Sequence, residues 1–238
     1  HFTDRRQRQM CIRDSFQALE KISLKLYKGE TLGLIGESGS GKTSLSNAIL
    51  KIHKFEEGEI FFNGLDVSKI QGKELLGFRK NIQIVFQDPY ASLNPLHNIY
   101  QIISEPLMFH KICGKEDLYE ECKKLINDVG LSENYLDSYP HELSGGQRQR
   151  VCIARAISVK PQVLICDESV SALDVSIQAT VLNLLNQLKQ KYSFTYIFIS
   201  HDLSVVRHMS DKILVLHHGK IVEYDEADLL FKKPKDSY

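Results

Sequence analysis

The sequence has no net charge, no paired cysteines, no long apolar run and no internal repeat, and each absence removes a class of function. Thirty Lys plus Arg stand against thirty Asp plus Glu, so no global field draws the chain to nucleic acid or to an anionic membrane surface. Any such contact has to be local, and nucleic acid is not expected among the partners. The five cysteines (Cys11, Cys113, Cys122, Cys152 and Cys166) include no C-x-x-C pair and no His at metal-ligand spacing, which leaves reduced core thiols as the reading. The longest apolar stretches, such as "VLIC" at 163–166 and "YIFI" at 196–199, fall far short of the roughly 20 residues a membrane-spanning helix needs. If the protein works at a membrane, something else holds it there. No sustained heptads mark a coiled coil.

The two ends break the pattern in different ways. The first fifteen residues, "HFTDRRQRQMCIRDS", begin without Met and lack periodicity. Their hexapeptide Met10 to Ser15 is what ATG-TGT-ATA-AGA-GAC-AG(C/T) encodes, a string that resembles the end sequence of transposase-based sequencing libraries. Residues 1–15 are therefore expected to be non-native or disordered, with the natural protein read from about Phe16. At the other end, "FKKPKDSY" stops in mid-pattern and is expected to belong to a longer chain.

At 238 residues the chain is long enough for one large domain or for a core with a subdomain inserted in it. "TLGLI" (31–35) is apolar without alternation and bounded by Gly29 and Gly36, which suits a strand buried on both faces. Similar runs recur at 82–86, 163–166 and 196–200. Helical periodicity fits Thr43 to Ile52, Ile99 to Phe109, Glu116 to Val129, Gly146 to Val159 and Ile177 to Tyr192. Strands alternating with helices imply an α/β fold with a mainly parallel sheet. Between Gln87 and Lys160 the pattern is almost all helix and turn, so a helical subdomain is expected at about 88–160, inserted into a core formed by 16–87 and 161–238. Two β runs around His218-Gly219 predict a hairpin within 212–225.

"GESGSGKT", Gly36 to Thr43, matches G-x-x-x-x-G-K-[ST] between a predicted strand and a predicted helix. The candidates for cradling phosphates are Gly36, Glu37, Ser38, Gly39, Ser40, Gly41, Lys42 and Thr43. Backbone N–H groups and the helix N-terminus converge there, Lys42 reaches the outer phosphates, and the Thr43 hydroxyl can ligate Mg²⁺. A mere glycine-rich turn would not explain a Lys-Thr pair at that offset. An acid is needed to hold the metal, and "QVLICDES" ends an apolar strand in two carboxylates. Asp167 would hold Mg²⁺ and Glu168 would orient or deprotonate the attacking water; taken alone, such a pair is more often a helix cap or a solvated edge, and it is the phosphate loop that reverses the balance. Gln87 and His201 close two other apolar strands, and in a parallel sheet those ends face the ligand crevice. Gln87 could sense metal or water and His201 could contact the γ-phosphate or position the water. Each also has a plain reading, Gln87 as a turn residue and His201 as neighbour of a capping Asp202.

Taken together with "LSGGQ" (143–147) and "SALD" (171–174), this set resembles the nucleotide-binding subunit of ABC transporters in order and spacing, from about Gln17 onward. The resemblance implies a P-loop NTPase (RecA-like) core carrying a small antiparallel β element and a helical subdomain. It further implies a head-to-tail dimer with ATP sandwiched between one subunit's P-loop and the other's LSGGQ segment. On that pattern Ser144, Gly145, Gly146 and Gln147 bind the partner's nucleotide, Asp174 contacts across the interface, and Mg²⁺ is held by Thr43, Gln87 and Asp167. "FQDPYASLNP", "ISEPL", "SALDVSIQ" and "KKPKDSY" look like the importer ATPases for oligopeptides, dipeptides and nickel. In such importers residues corresponding to Tyr90 to Asn98 meet a coupling helix of the membrane permease. The expected partners are a second ATP-binding subunit, permease subunits and, indirectly, an extracytoplasmic solute-binding protein, at the cytoplasmic face of the cell membrane.

The sequence departs from that family in two places. Ser169-Val170 stand where many members have Pro-Thr, and only a local loop effect is expected. The adenine-stacking aromatic should precede "ALEKISL", where Phe16 is the one nearby candidate and Arg13 holds the expected offset. The competing reading is a soluble ABC-type ATPase of DNA repair or translation; such proteins usually carry two such domains or a long coiled-coil insertion.

Overall fold

The computed structural model describes residues 18–53 and 57–232; residues 1–15, the Phe16 and Arg13 candidates and residues 233–238 lie outside them. In chain order the elements are β1 (Thr31–Ile35), α1 (Lys42–Ile49), β2 (Phe61–Phe62), β3 (Leu65–Asp66), α2 (Gly72–Asn81) and β4 (Ile82–Val85). Four helices follow without an intervening strand: α3 (Pro89–Ser92), α4 (Ile99–Phe109), α5 (Leu118–Asp128) and α6 (Gly145–Ile157), with two short 3₁₀ turns between α5 and α6. The chain then returns through β5 (Val163–Asp167), α7 (Val175–Tyr192), β6 (Thr195–Ile199), α8 (Leu203–Met209), β7 (Lys212–His217), β8 (Lys220–Glu226) and α9 (Ala227–Lys232).

The main sheet has six strands in the order β4-β5-β6-β1-β7-β8. All neighbours run parallel except β7 and β8. The predicted hairpin is thus an antiparallel edge on the main sheet. Its turn holds His218 at φ 45° and Gly219 at φ 76°, the doubly positive pair a tight two-residue connection requires. A separate two-stranded antiparallel sheet joins β2 to β3.

Strand residues alternate between the two faces, and each face has its own core. In β5 and β6, Leu164, Cys166, Tyr196 and Phe198 pack with α4 to α7, while Ile165, Ile197 and Ile199 pack with Leu32, Leu34 and Leu45. A sheet covered on both faces has no need of polar alternation, which is why these strands read as continuous apolar runs. The helix predicted for 43–52 ends earlier, because Lys51 leaves it at φ 51°. Its ammonium donates to three carbonyls, Val67 at 2.7 Å, Ser68 at 3.0 Å and Ile70 at 2.6 Å, tying the segment after β3 to the end of α1.

Because β4, β5, β6 and β1 are parallel, their C-terminal ends share one edge. Asp167 of β5 and Leu34 of β1 both register with Ile199 of β6. The loops leaving that edge carry Gly36 to Thr43, Gln87, Glu168 and His201, which is how four distant stretches of sequence reach one place.

Candidate nucleotide site

Between β1 and α1 the chain folds around its own backbone. Gly36 sits at φ 154°, and a Cβ there would lie 2.2 Å from the Leu216 carbonyl oxygen. Gly41 is left-handed at φ 107° and is the N-cap of α1, with no side chain to cap it. The first N–H groups of α1 are therefore left for an anion. Lys42, 7% exposed, turns back over the loop and donates to the carbonyls of Gly36 at 2.6 Å and Glu37 at 2.8 Å. An ammonium has three donors, so one remains for a phosphate oxygen. Ser40 Oγ is buried and has no hydrogen-bond partner among the described residues.

A cleft of about 490 Å³ opens over this loop, lined by Ala18, Ser38, Gly39, Gly41, Lys42, Thr43, Ser44, Gln87 and Glu168. Gln87 Nε2 donates to Glu168 Oε2 at 2.9 Å, which leaves the amide oxygen of Gln87 as its acceptor end. His201 Nδ1 stands 3.7 Å from the same carboxylate oxygen; the His201 side chain is 64% exposed and does not line the cleft. Asp167 ends β5 as a partly buried carboxylate. Burial first, and then the charge of Glu168, push its carboxyl above the ordinary value, while Lys42 opposes the shift.

Glu168 has a left-handed backbone, φ 45°, an uncommon conformation for a residue with a side chain. Its N–H donates to the Ile199 carbonyl at 2.9 Å, and its own carbonyl accepts from the Ser171 N–H at 3.1 Å and the Ser171 hydroxyl at 2.8 Å. Those three bonds hold the residue in place and turn its side chain toward Gln87. Ser171 belongs to the "SALD" string, yet nothing in its residue type marked it as the group that fixes Glu168.

Mg²⁺ fits this donor set only in company. Among the described residues no three His, Cys, Asp or Glu side chains are grouped to hold a metal ion. Thr43, Gln87 and Asp167 supply oxygen donors of three kinds, hard ligands suited to Mg²⁺, which commonly completes its shell with phosphate and water.

The segment 143–147 stands apart. None of its residues lines the cleft. Ser144 caps α6, accepting from the Gln147 N–H at 3.3 Å while Gln147 Oε1 accepts from the Ser144 N–H at 2.8 Å. Gln147 Nε2 also donates to the Tyr135 hydroxyl at 2.9 Å; Tyr135 carried no signal in the sequence. Arg148 donates to the carbonyls of Pro140 and Leu143, and Arg150 to that of Gly130, so both arginines brace the start of this helix. Asp174 occupies the N-cap of α7 but makes no side-chain capping bond.

A model of the ABC transporter family matches residues 19–171. The chain is 49% identical over 223 residues to the oligopeptide transport ATP-binding protein OppF of Streptococcus mutans, covering 93% of this chain and 72% of that protein. It is 46% identical over 225 residues to the dipeptide transport ATP-binding protein DppF of Lactococcus lactis, covering 93% and 72%. Among solved structures, the dimeric post-hydrolysis state of the ATP-binding cassette MJ0796, bound to ADP and Pi, superposes with a TM-score of 0.79 at 29% identity, over 88% of this chain and 90% of that one. CbiO1 of Clostridium perfringens, part of the transporter complex CbiONQ, gives 0.84 at 27% identity, over 93% and 87%. These relatives lend no support to a role in DNA repair or translation.

Proposed function

The chain belongs to the ABC transporter family of ATP-binding, ATP-hydrolysing subunits, and on that premise we propose that it powers the uptake of oligopeptides, dipeptides or a related solute. The relatives named for peptide transport support that solute class. Among the described residues no helix is long and apolar enough to cross a membrane; in this reading permease subunits form the transport path. This chain acts beside them as a peripheral engine at the cytoplasmic face. Exposed Tyr90 and Leu96, within 90–98, form its contact with the permease, and a solute-binding protein delivers the cargo from outside.

The observation that carries the mechanism is one cleft joining the phosphate loop to Gln87 and Glu168 while excluding 143–147. Loop N–H groups and Lys42 hold the phosphates of ATP, and Lys42 opposes the charge that builds on them. Thr43, Gln87 and Asp167 would hold Mg²⁺, which supplies charge neutralisation on the phosphate oxygens. Glu168 accepts a proton from the attacking water, held in line by the Gln87 amide. His201, near Glu168 but exposed, contacts the γ-phosphate once the site closes.

Ser144 to Gln147 at the start of α6, together with Asp174, then serve the nucleotide of a second ATP-binding subunit, either this chain again or a paralogue. Closure of that dimer around ATP shifts the population that drives the permease. The helical stretch at about 88–160 is the part that transmits it, inserted between core segments 16–87 and 161–238.

Glu168→Gln tests the reading. The variant is expected to bind ATP, to lose nearly all turnover and to accumulate as an ATP-bound dimer; wild-type turnover would overturn the role of Glu168. Loss of labelled-peptide uptake on deleting the gene tests the solute class.

A further inference from the structure

Gly146 is the second residue of α6, and it is buried. Its φ is not positive, so its backbone does not call for glycine. Space does. A Cβ at Gly146 would lie 2.6 Å from Ile177 Cγ2, and its next two nearest atoms, at 3.9 Å and 4.0 Å, also belong to Ile177. The neighbouring Gly145 is different: its Cβ would meet Leu173 Cδ2 at 3.8 Å, an ordinary contact.

Ile177 cannot step aside. It stands in the first turn of α7, where a β-branched side chain has essentially one χ1 rotamer, and it packs against the main core cluster. Carbon atoms rest at about 3.5–4.0 Å, so a methyl at 146 has to push the start of α6 about 1 Å away from α7.

We propose that Ile177 is a positioning residue, locking the first turn of α6, with Ser144 to Gln147, onto the first turn of α7 beside Asp174. The two segments that meet the partner subunit's nucleotide then keep one fixed spacing. Gly146 is glycine because Ile177 fills its side-chain place, within the same chain. The inference rests on the dimer reading above.

The test is made in the Glu168→Gln protein, with ATP-dependent dimerisation followed by light scattering. Nucleotide binding by the monomer and the melting temperature are measured alongside. Adding Gly146→Ala is expected to weaken dimerisation about tenfold or more while monomer binding stays. Adding Ile177→Ala to that variant removes Cγ2 and restores pairing; adding Ile177→Val, which keeps Cγ2, does not. The two variants that also carry an Ile177 change keep the comparison available even if Gly146→Ala alone folds poorly. The proposal is overturned if Gly146→Ala pairs like its parent, if Ile177→Ala fails to rescue, or if Ile177→Val rescues equally well. If Glu168→Gln itself never pairs with ATP, the dimer reading has failed and the lock falls with it. If it pairs and rescue fails, only the lock falls.

Discussion

Gln87 and Glu168, 81 positions apart in the chain, meet through a 2.9 Å hydrogen bond from amide to carboxylate, so the loops after β4 and β5 aim at one point. The bond fixes which way the carboxylate faces. Gln87→Ala removes that constraint and is expected to lower kcat about 10–100-fold, since misplacement of about 1 Å costs rate on that order. The KM for Mg²⁺ should rise, because the amide oxygen that would help hold the ion is lost, whereas the phosphate loop that holds ATP is untouched. Steady-state ATPase kinetics check the split.

The left-handed backbone of Glu168 depends on Ser171, whose hydroxyl and N–H both reach its carbonyl. Ser171→Ala removes one of the two bonds, about 1 kcal/mol, which corresponds to roughly a fivefold loss in kcat if it is felt in the transition state. Ser171→Thr keeps the hydroxyl and should recover most of the rate. Equal losses in the two variants would place the effect elsewhere.

Asp167 predicts a trade between stability and turnover. Burial and the charge of Glu168 raise its carboxyl above the ordinary value, so the folded state binds that proton more tightly than the unfolded chain does. Its contribution to stability is full below the unfolded value and is lost as pH rises through the raised folded one. Asp167→Asn should therefore raise the melting temperature measured without nucleotide, by an amount that grows as pH rises through that window. The same change should abolish Mg²⁺-dependent hydrolysis. Thermal melts between pH 4 and 8 compare the two proteins.

Lys51 offers a test far from the chemistry. Its ammonium satisfies the Val67, Ser68 and Ile70 carbonyls, and Lys51→Met keeps the aliphatic stem while stranding them. The expected cost is about 2 kcal/mol, or a fall of about 4–8 °C in melting temperature for a chain of this size. ATP affinity should follow only as far as α1 loosens.

The sequence was most legible where burial is simplest. β1, β5 and β6 are covered on both faces, so their apolar runs announced them, and α4 occupies the predicted Ile99–Phe109 because Asn98 and Gln101 form a capping box at its start. α2 escaped notice: it holds Gly72 and Gly77 and buries only Phe78, too little to set a helical period. At the site, residue type and spacing pointed to Lys42, Asp167, Glu168 and Gln87. They did not point to the conformation of Glu168, which is imposed by the Ile199 carbonyl and by Ser171 rather than by its own side chain. Nor did they reveal why Gly146 is glycine, because the atom that excludes a side chain there belongs to Ile177, 31 positions further along the chain.

Lys42 already lies folded over Gly36 and Glu37, and that seating bears on affinity. A lysine that must be gathered from solvent surrenders about 1.5–2 kcal/mol of side-chain freedom when a ligand arrives. Here that ordering happens during folding, so the cradle meets ATP pre-organised, and little of the nucleotide's binding energy is consumed in arranging the hand that holds it.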